Sequence, residues 1–175
     1  MKTHPTPPKR TAPFDIEPGF YEPAKLWFYG NVGLLKANLA CVDDALGRPD
    51  HTAAELDGIS QSAETLVLDS CVLVSGIHNC AHQRAAIVPL RWGAPRVLVF
   101  SGGFYVHLGS DLKNEPFRAA RLWRYQFDPL TDLVISRRAP NRLPTFSRYN
   151  PTVDRMIQSI VKRDFLGCLF GNPEF

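Results

Sequence analysis

Cysteine is scarce in this chain: four of 175 residues, at positions 41, 71, 80 and 168, with no two in CxxC spacing. Most of them sit inside apolar runs, the setting of small reduced core residues, and Cys80 is read the same way. A disulfide-built secreted fold is therefore not expected, and the compartment is read as cytoplasmic. Long apolar runs are missing too. No stretch approaches the roughly 20 residues that a membrane span needs, and residues 1–22 begin with Lys and Pro but hold no apolar leader segment. There is no internal repeat, and no biased segment beyond the N-terminal one. A strong charge of one sign is also absent: 20 Lys and Arg against 17 Asp and Glu give +3 and a pI near 8.7. That balance permits a nucleic-acid partner without demanding one.

What is present is a 45% hydrophobic chain, enough for one core-forming domain. Residues 1–24 carry six of the fifteen prolines and little periodicity, and are read as a flexible arm, or one laid over the surface, ahead of a domain over 25–175. Charge is unevenly spread. Seven acidic residues stand between Asp43 and Asp69 against Arg48 alone, whereas Arg118–Arg163 holds ten Lys or Arg against three Asp.

The short apolar runs at 26–29 and 39–42 predict two strands, the second the more central. Thr52 and Glu55 have capping-box spacing, and Leu56, Ile59, Ala63, Leu66 and Val67 follow at helical intervals, predicting a helix over 53–69. A strand at 71–74, a Ser75-Gly76 turn and a helix over 79–90 ended by Pro89 and Gly93 come next. A buried strand at 96–100 runs into Ser101-Gly102-Gly103. Asn114 caps a helix whose inner face is Phe117, Ala120 and Trp123, and a strand follows at 133–136. Asn150-Pro151 opens a helix with Val153, Met156, Ile157, Ile160 and Val161 on one stripe, and 165–170 supplies a last strand. The alternation predicts a three-layer α/β Rossmann-like domain with a mostly parallel central sheet.

Several of these stretches resemble the DNA-processing protein A (DprA/Smf) family, within the SLOG superfamily of Rossmann-like nucleotide-binding domains. LWFYGNVGLL at 26–35 and LACV at 39–42 are similar to its first strands, VLVSGIHNCAHQRAAI at 72–87 to its strand, SG turn and Ala-His helix, and RVLVFSGGFYVHLG at 96–109 to the strand with a Gly-rich exit. LVISRRAP at 133–140 and Phe146-Ser147-Arg148-Tyr149-Asn150 resemble the late strand, Pro loop and Arg-Asn helix start. The match spans about residues 24–165 and describes a divergent, truncated member. Three loops depart from the pattern. Asp43-Asp44-Ala45 replaces a Gly-Ser/Thr-Arg loop and should repel phosphate. The loop after Ser75-Gly76 is shortened, so that Ile77 and His78 meet the helix directly. The late Arg-Asn-Arg motif becomes Tyr149-Asn150-Pro151, leaving Asn150 and Arg148 to carry over. The resemblance implies DNA binding, protection of incoming DNA and loading of a RecA-like recombinase.

Two candidate sites follow. Arg137, Arg138, Arg142 and Arg148, interleaved with Phe146 and Tyr149 and followed by Asn150, combine cations for phosphates with aromatics for bases, the composition of a single-stranded nucleic-acid surface. The alternatives are a solvated basic loop and an interface with an acidic protein. Ser75, Gly76, Asn79, His82, Ser101, Gly102 and Gly103 would line a cleft of backbone donors suited to a nucleotide or phosphate; the alternative is that small residues merely permit tight turns. His78 and His82 could share a ligand, but a zinc hydrolase would have Glu where Asn79 stands and a third ligand has no evident source, so His82 is read as structural, tying its helix to a neighbouring loop. Asp43 and Asp44 are read as a solvated acidic turn. The leading function is a non-catalytic DprA-like binder of single-stranded DNA, without cofactor or metal. A SLOG-type nucleotide sensor or hydrolase is the second reading. A degenerate subunit acting as a scaffold, in a homo-oligomer or complex, is the third.

Overall fold

A computed structural model describes residues 17–123, 125–144 and 147–164, with the Ala119 side chain left aside. Six strands, β1 (Gly19–Tyr21), β2 (Leu26–Gly30), β3 (Leu39–Ala40), β4 (Val72–Gly76), β5 (Arg96–Phe100) and β6 (Leu133–Ser136), form one sheet in the order β1-β2-β6-β5-β4-β3. The block β3-β4-β5-β6 is parallel, while β2 runs antiparallel to both β6 and β1. Helices α1 (Ala53–Leu68), α2 (Cys80–Arg91), α3 (Phe104–Leu108) and α4 (Arg118–Leu122) join the parallel strands, and α5 (Pro151–Lys162) follows β6. The expected Rossmann-like α/β architecture with a mostly parallel sheet is present. Among the described residues no helix is long and apolar enough to cross a membrane.

The central strands are apolar on both sides because each side packs on a layer. Val72 and Val74, Val97 and Val99, and Leu133 and Ile135 alternate onto the face that meets Val153, Ile157 and Ile160 of α5. Leu73 faces Ile59 and Ala63 of α1 and Ala81, Ala85 and Val88 of α2. Leu98, Phe100 and Val134 meet Phe104, Leu108, Phe117 and Ala120. Burying each large side chain stabilises by about 1.5–3 kcal/mol, so the two faces together drive the three-layer stack. The capping box read from Thr52 and Glu55 is formed at α1, with both reciprocal bonds present.

The structure corrects several expectations. Residues 19–21, counted with the N-terminal arm, form β1, which pairs with β2, and Phe20 packs on Trp27. β3 is an edge strand, shortened to two residues by the 3-10 turn at Asp43–Ala45; β2 takes the inner place because β1 covers its far side. Pro89 lies inside the last turn of α2, which runs on to Arg91. Trp123 is 57% exposed, since α4 ends at Leu122 and turns it outward. Cys80 is exposed at the first turn of α2, and Cys41 and Cys71 are half-buried. The strand expected at 165–170 lies outside the described residues.

Buried charge also organises the sheet. Arg96, 1% exposed, points to the α2–α4 side, where its guanidinium donates to Glu115 Oε2 at 2.5 Å, Asp132 Oδ2 at 2.9 Å and the Ala86 carbonyl at 3.2 Å. Burial alone would push its pKa down, and the two carboxylates outweigh this and hold it charged.

Candidate functional site

Strands β4, β5 and β6 end side by side, so the Ser75-Gly76 end of β4, the Ser101-Gly102-Gly103 turn and the start of the basic loop share one edge of the sheet; Ser75 and Gly76, expected as a turn, are the last two residues of β4, paired with Leu98 and Val99. The exit of β4 is closed on itself. The Gly76 N–H donates to His82 Nδ1 at 3.1 Å, Ser75 Oγ donates to the His82 carbonyl at 3.1 Å, and Asn79 caps α2 by accepting from the His82 N–H at 3.0 Å. The lone pair that accepts from Gly76 leaves the His82 ring proton on Nε2, which points at Asp154 Oδ1 3.0 Å away. Asp154 also accepts from the Gly47 N–H at 2.9 Å through Oδ2. Thus His82, read as a structural tie, joins the β4 exit and α2 to α5 and, through Asp154, to the 47 loop. Burial pushes His82 down and keeps it neutral. Burial pushes Asp154 the other way, but the His78 and His82 imidazoles and the Gly47 N–H outweigh it and hold the carboxyl well below its usual range.

Asp154 is the residue that sequence reasoning missed. It is 8% exposed on the apolar stripe of α5. An acid one turn before Ile157 on that stripe was the available signal. His78, His82 and Asp154 bring donor atoms within 4.8 Å of one another, supplying the third group that the sequence leaves without a source. A cation does not fit this set: with Nδ1 accepting from Gly76, a metal on Nε2 would demand an imidazolate ring. His78 stacks on His82 at 4.3 Å between ring centroids, 3.5 Å from Asp154 Oδ1, and neither of its buried nitrogens makes a hydrogen bond.

The second turn is covered by the basic loop. The Gly103 N–H donates to the Arg142 carbonyl at 2.7 Å, the Tyr105 N–H donates to the Pro140 carbonyl at 3.0 Å, and Ser136 Oγ donates to the Gly102 carbonyl at 2.8 Å. A Cβ on Gly102 would stand 2.7 Å from Pro144, and one on Gly103 would overlap the Pro140 carbonyl. These two glycines therefore seat the loop, and the Gly103 N–H is engaged by it. Its far end is held where Asn79 Nδ2 donates to the Arg148 carbonyl at 3.1 Å and Asn150 caps α5.

What remains open is a groove beyond the loop. Ser101, Arg137, Arg138 and Asn150 line a cavity of about 240 Å³ with Thr152 and Met156 of α5. Arg137, Thr152 and Met156 also line the adjoining cavity of about 260 Å³, where Arg155 joins them. A third cavity, about 410 Å³, lies across the loop between Ile77, His78, Ser101, His107 and Arg148. Arg137, Arg138, Arg142, Arg148 and Tyr149 are all exposed, and Phe146 lies outside the described residues. Arg138 donates to the Leu143 carbonyl at 2.8 Å and Arg148 pairs with Asp50 at 3.1 Å on the surface, a contact worth under about 1 kcal/mol. The structure thus joins Ser101 to Arg137, Arg138 and Asn150, and separates them from Ser75, Gly76, Asn79 and His82. Asp43 and Asp44 are exposed on their turn.

No protein-family model matches the sequence, and no curated protein matches it significantly. Among solved structures, the crystal structure of DNA processing protein A (DprA) from Streptococcus pneumoniae superposes with a TM-score of 0.55 at 19% identity, over 81% of this chain and 48% of that one. This chain spans about half the length of that protein. The chain has a DprA-like fold.

Proposed function

We propose that the protein binds single-stranded nucleic acid, without catalysis, along the groove of Arg137, Arg138 and Asn150, with Arg142, Arg148 and Tyr149 on the same loop. The observation that carries this reading is the continuous groove at the carboxyl ends of β5 and β6, in which Arg137 lines both cavities and Arg138 and Arg155 line one each. Guanidinium groups in such a groove grip phosphates, and an exposed tyrosine offers a face for a base. The loop is anchored at Gly103 and Asn79, so little ordering entropy opposes binding. DNA as the ligand, a role in DNA processing, a RecA-like recombinase as partner and assembly into an oligomer belong to the same reading, through the likeness to DprA.

Fluorescence anisotropy with a labelled single-stranded oligonucleotide, repeated across salt concentrations, tests it. Each phosphate contact adds about 0.7 to the slope of log K against log salt, so Arg137→Ala with Arg138→Ala should flatten that slope by about 1.4. Absence of salt-sensitive binding at low salt rejects the reading.

One observation favours a second reading, a nucleotide sensor. The cavity of about 410 Å³ is of ligand size and is faced by His78, whose side chain is 4% exposed with both nitrogens unbonded. A nucleotide at about 100 times its dissociation constant would stabilise the fold by about 2.7 kcal/mol, which a thermal-shift screen resolves.

A further inference from the structure

The basic loop does not hold all of the exposed cationic charge. Beside α2, the helices α1 and α4 wall a cavity of about 570 Å³ into which Arg84, Arg91, Arg118 and Arg121 project, with Cys80 and Gln83 at its edge. No acidic residue lines it. All four arginines are exposed, so folding did not place them there to satisfy buried carboxylates. Arg84 meets Asp57 at 3.3 Å in an exposed pair of small worth, and among the described residues no ion pair occupies Arg91, Arg118 or Arg121. Like charges facing one cavity repel, and an anion with several oxygens relieves that repulsion while accepting paired N–H bonds.

The cavity also continues the groove described above. Pro116 lines both this cavity and the one holding Arg148 and Ser101, and Ser101 in turn lines the cavity of Arg137 and Arg138. Basic cavities therefore follow one another from α5, across the strand ends, to α2 and α4. Trp123, 57% exposed, follows α4 directly, and Tyr149, 50% exposed, lies on the loop, so an aromatic accompanies each cluster of arginines.

We propose that the Arg84–Arg91–Arg118–Arg121 cavity is a second phosphate-binding station for the same nucleic-acid strand. A strand held at Arg137 and Arg138 passes Arg148 and Pro116 and reaches Arg118 and Arg121. This rests on the nucleic-acid reading, and it extends the site to a helix face that the sequence reading left out.

The test uses the full chain, with labelled single strands of about 8 and about 30 nucleotides, the first able to fill one station and the second both. Arg118→Ala with Arg121→Ala should leave the short strand's affinity within twofold. It should flatten the long strand's salt slope by about 1.4, so that raising salt from 50 to 200 mM costs the variant about sevenfold less than the wild type. In the wild-type chain the long strand should also slow alkylation of the exposed Cys80 thiol, and the short strand should not. If the variant keeps the full slope and Cys80 alkylates at the same rate with the long strand bound, the second station is refuted while the groove reading stands. If no strand of either length binds the wild type, the groove reading itself fails. If poly-glutamate of matched charge shields Cys80 as fully as the long strand does, the cavity answers to acidic protein surfaces and the proposal is overturned.

Discussion

Replacing Asp154 by Asn separates the charge of this side chain from its shape. The carboxylate accepts from His82 Nε2–H at 3.0 Å and from the Gly47 N–H at 2.9 Å. An amide of the same size has one acceptor oxygen, so its NH₂ must face one of these two donors. A hydrogen bond to a charged group contributes about 1.5–3 kcal/mol, and a buried donor left unsatisfied costs about 1–3 kcal/mol. Asp154→Asn should therefore destabilise by about 2–4 kcal/mol at pH 7, a fall in Tm of roughly 6–12 °C for a chain of this size. The effect has a pH signature. The Asp154 pKa in the folded chain lies below its ordinary value, so its contribution is complete above about pH 4 and is lost as pH falls through the folded value; the gap between variant and wild type narrows there. Urea unfolding followed by circular dichroism gives the free energies, and a cycle with His82→Ala isolates the pair, for which we expect coupling above about 1 kcal/mol. A loss below about 0.5 kcal/mol, or effects of the two substitutions that simply add, would show that the tie between α2 and α5 is not made by this pair.

Acid sensitivity should set in before the carboxylates titrate. Burial lowers His82 and pushes His107 down to about 4, so the unfolded chain takes up protons first; stability should fall between about pH 6.5 and 4, by up to about 3 kcal/mol for His107, and a flat profile in urea melts over that window would contradict the burial of both rings. Arg96→Met strands two buried carboxylates and should cost about 3–5 kcal/mol, most of it recovered when Glu115→Gln and Asp132→Asn are added; no recovery would mean that the guanidinium matters for packing alone. Gly103→Ala should lift the 139–144 loop off β5, because the new methyl overlaps the Pro140 carbonyl while the backbone itself, at φ −73°, is unstrained. The readout is trypsin cleavage after Arg142, expected to quicken with the circular dichroism unchanged, and an unaltered rate would show that the loop does not depend on this seat.

The fold was legible because its signals are local and repeated. Thr52 and Glu55 announced the start of α1, Asn79 and Asn150 announced α2 and α5, and the apolar runs of β4, β5 and β6 required cover on both faces. The misjudged parts depend on partners far along the chain. The edge position of β3 follows from β2 pairing with β6 across more than a hundred residues, and no local pattern records that pairing. The role of Asp154 depends on His82, 72 residues away. The Gly-rich turn looked like a phosphate cradle because small residues suit an approaching ligand and an approaching backbone equally; here the backbone of 139–144 takes the space. The arginines at 84 and 91 lie on α2 and those at 118 and 121 on α4, and the two pairs converge only after folding.

The closure of the two small-residue turns bears on where a ligand can act. In an open α/β sheet, the strand ends and the adjoining helix start are the usual anion site, and here His82 takes the Gly76 N–H while the Arg142 carbonyl takes that of Gly103. A phosphate entering either turn would have to displace an intramolecular bond and, at the first, approach the Asp154 carboxylate. The exposed guanidinium of Arg137 stands away from both turns, on the groove side of the loop, where a phosphate meets neither of these bonds nor the Asp154 carboxylate. Bonds at the same two exits also hold the loop: Gly103 fixes one side, and Asn79, placed by the α2 cap, fixes the other through the Arg148 carbonyl. On the nucleic-acid reading proposed above, the strand exits act at one remove, as the mounting of the basic loop. Their disruption should lower oligonucleotide affinity through loop mobility while leaving the number of phosphate contacts, and so the salt slope, nearly unchanged.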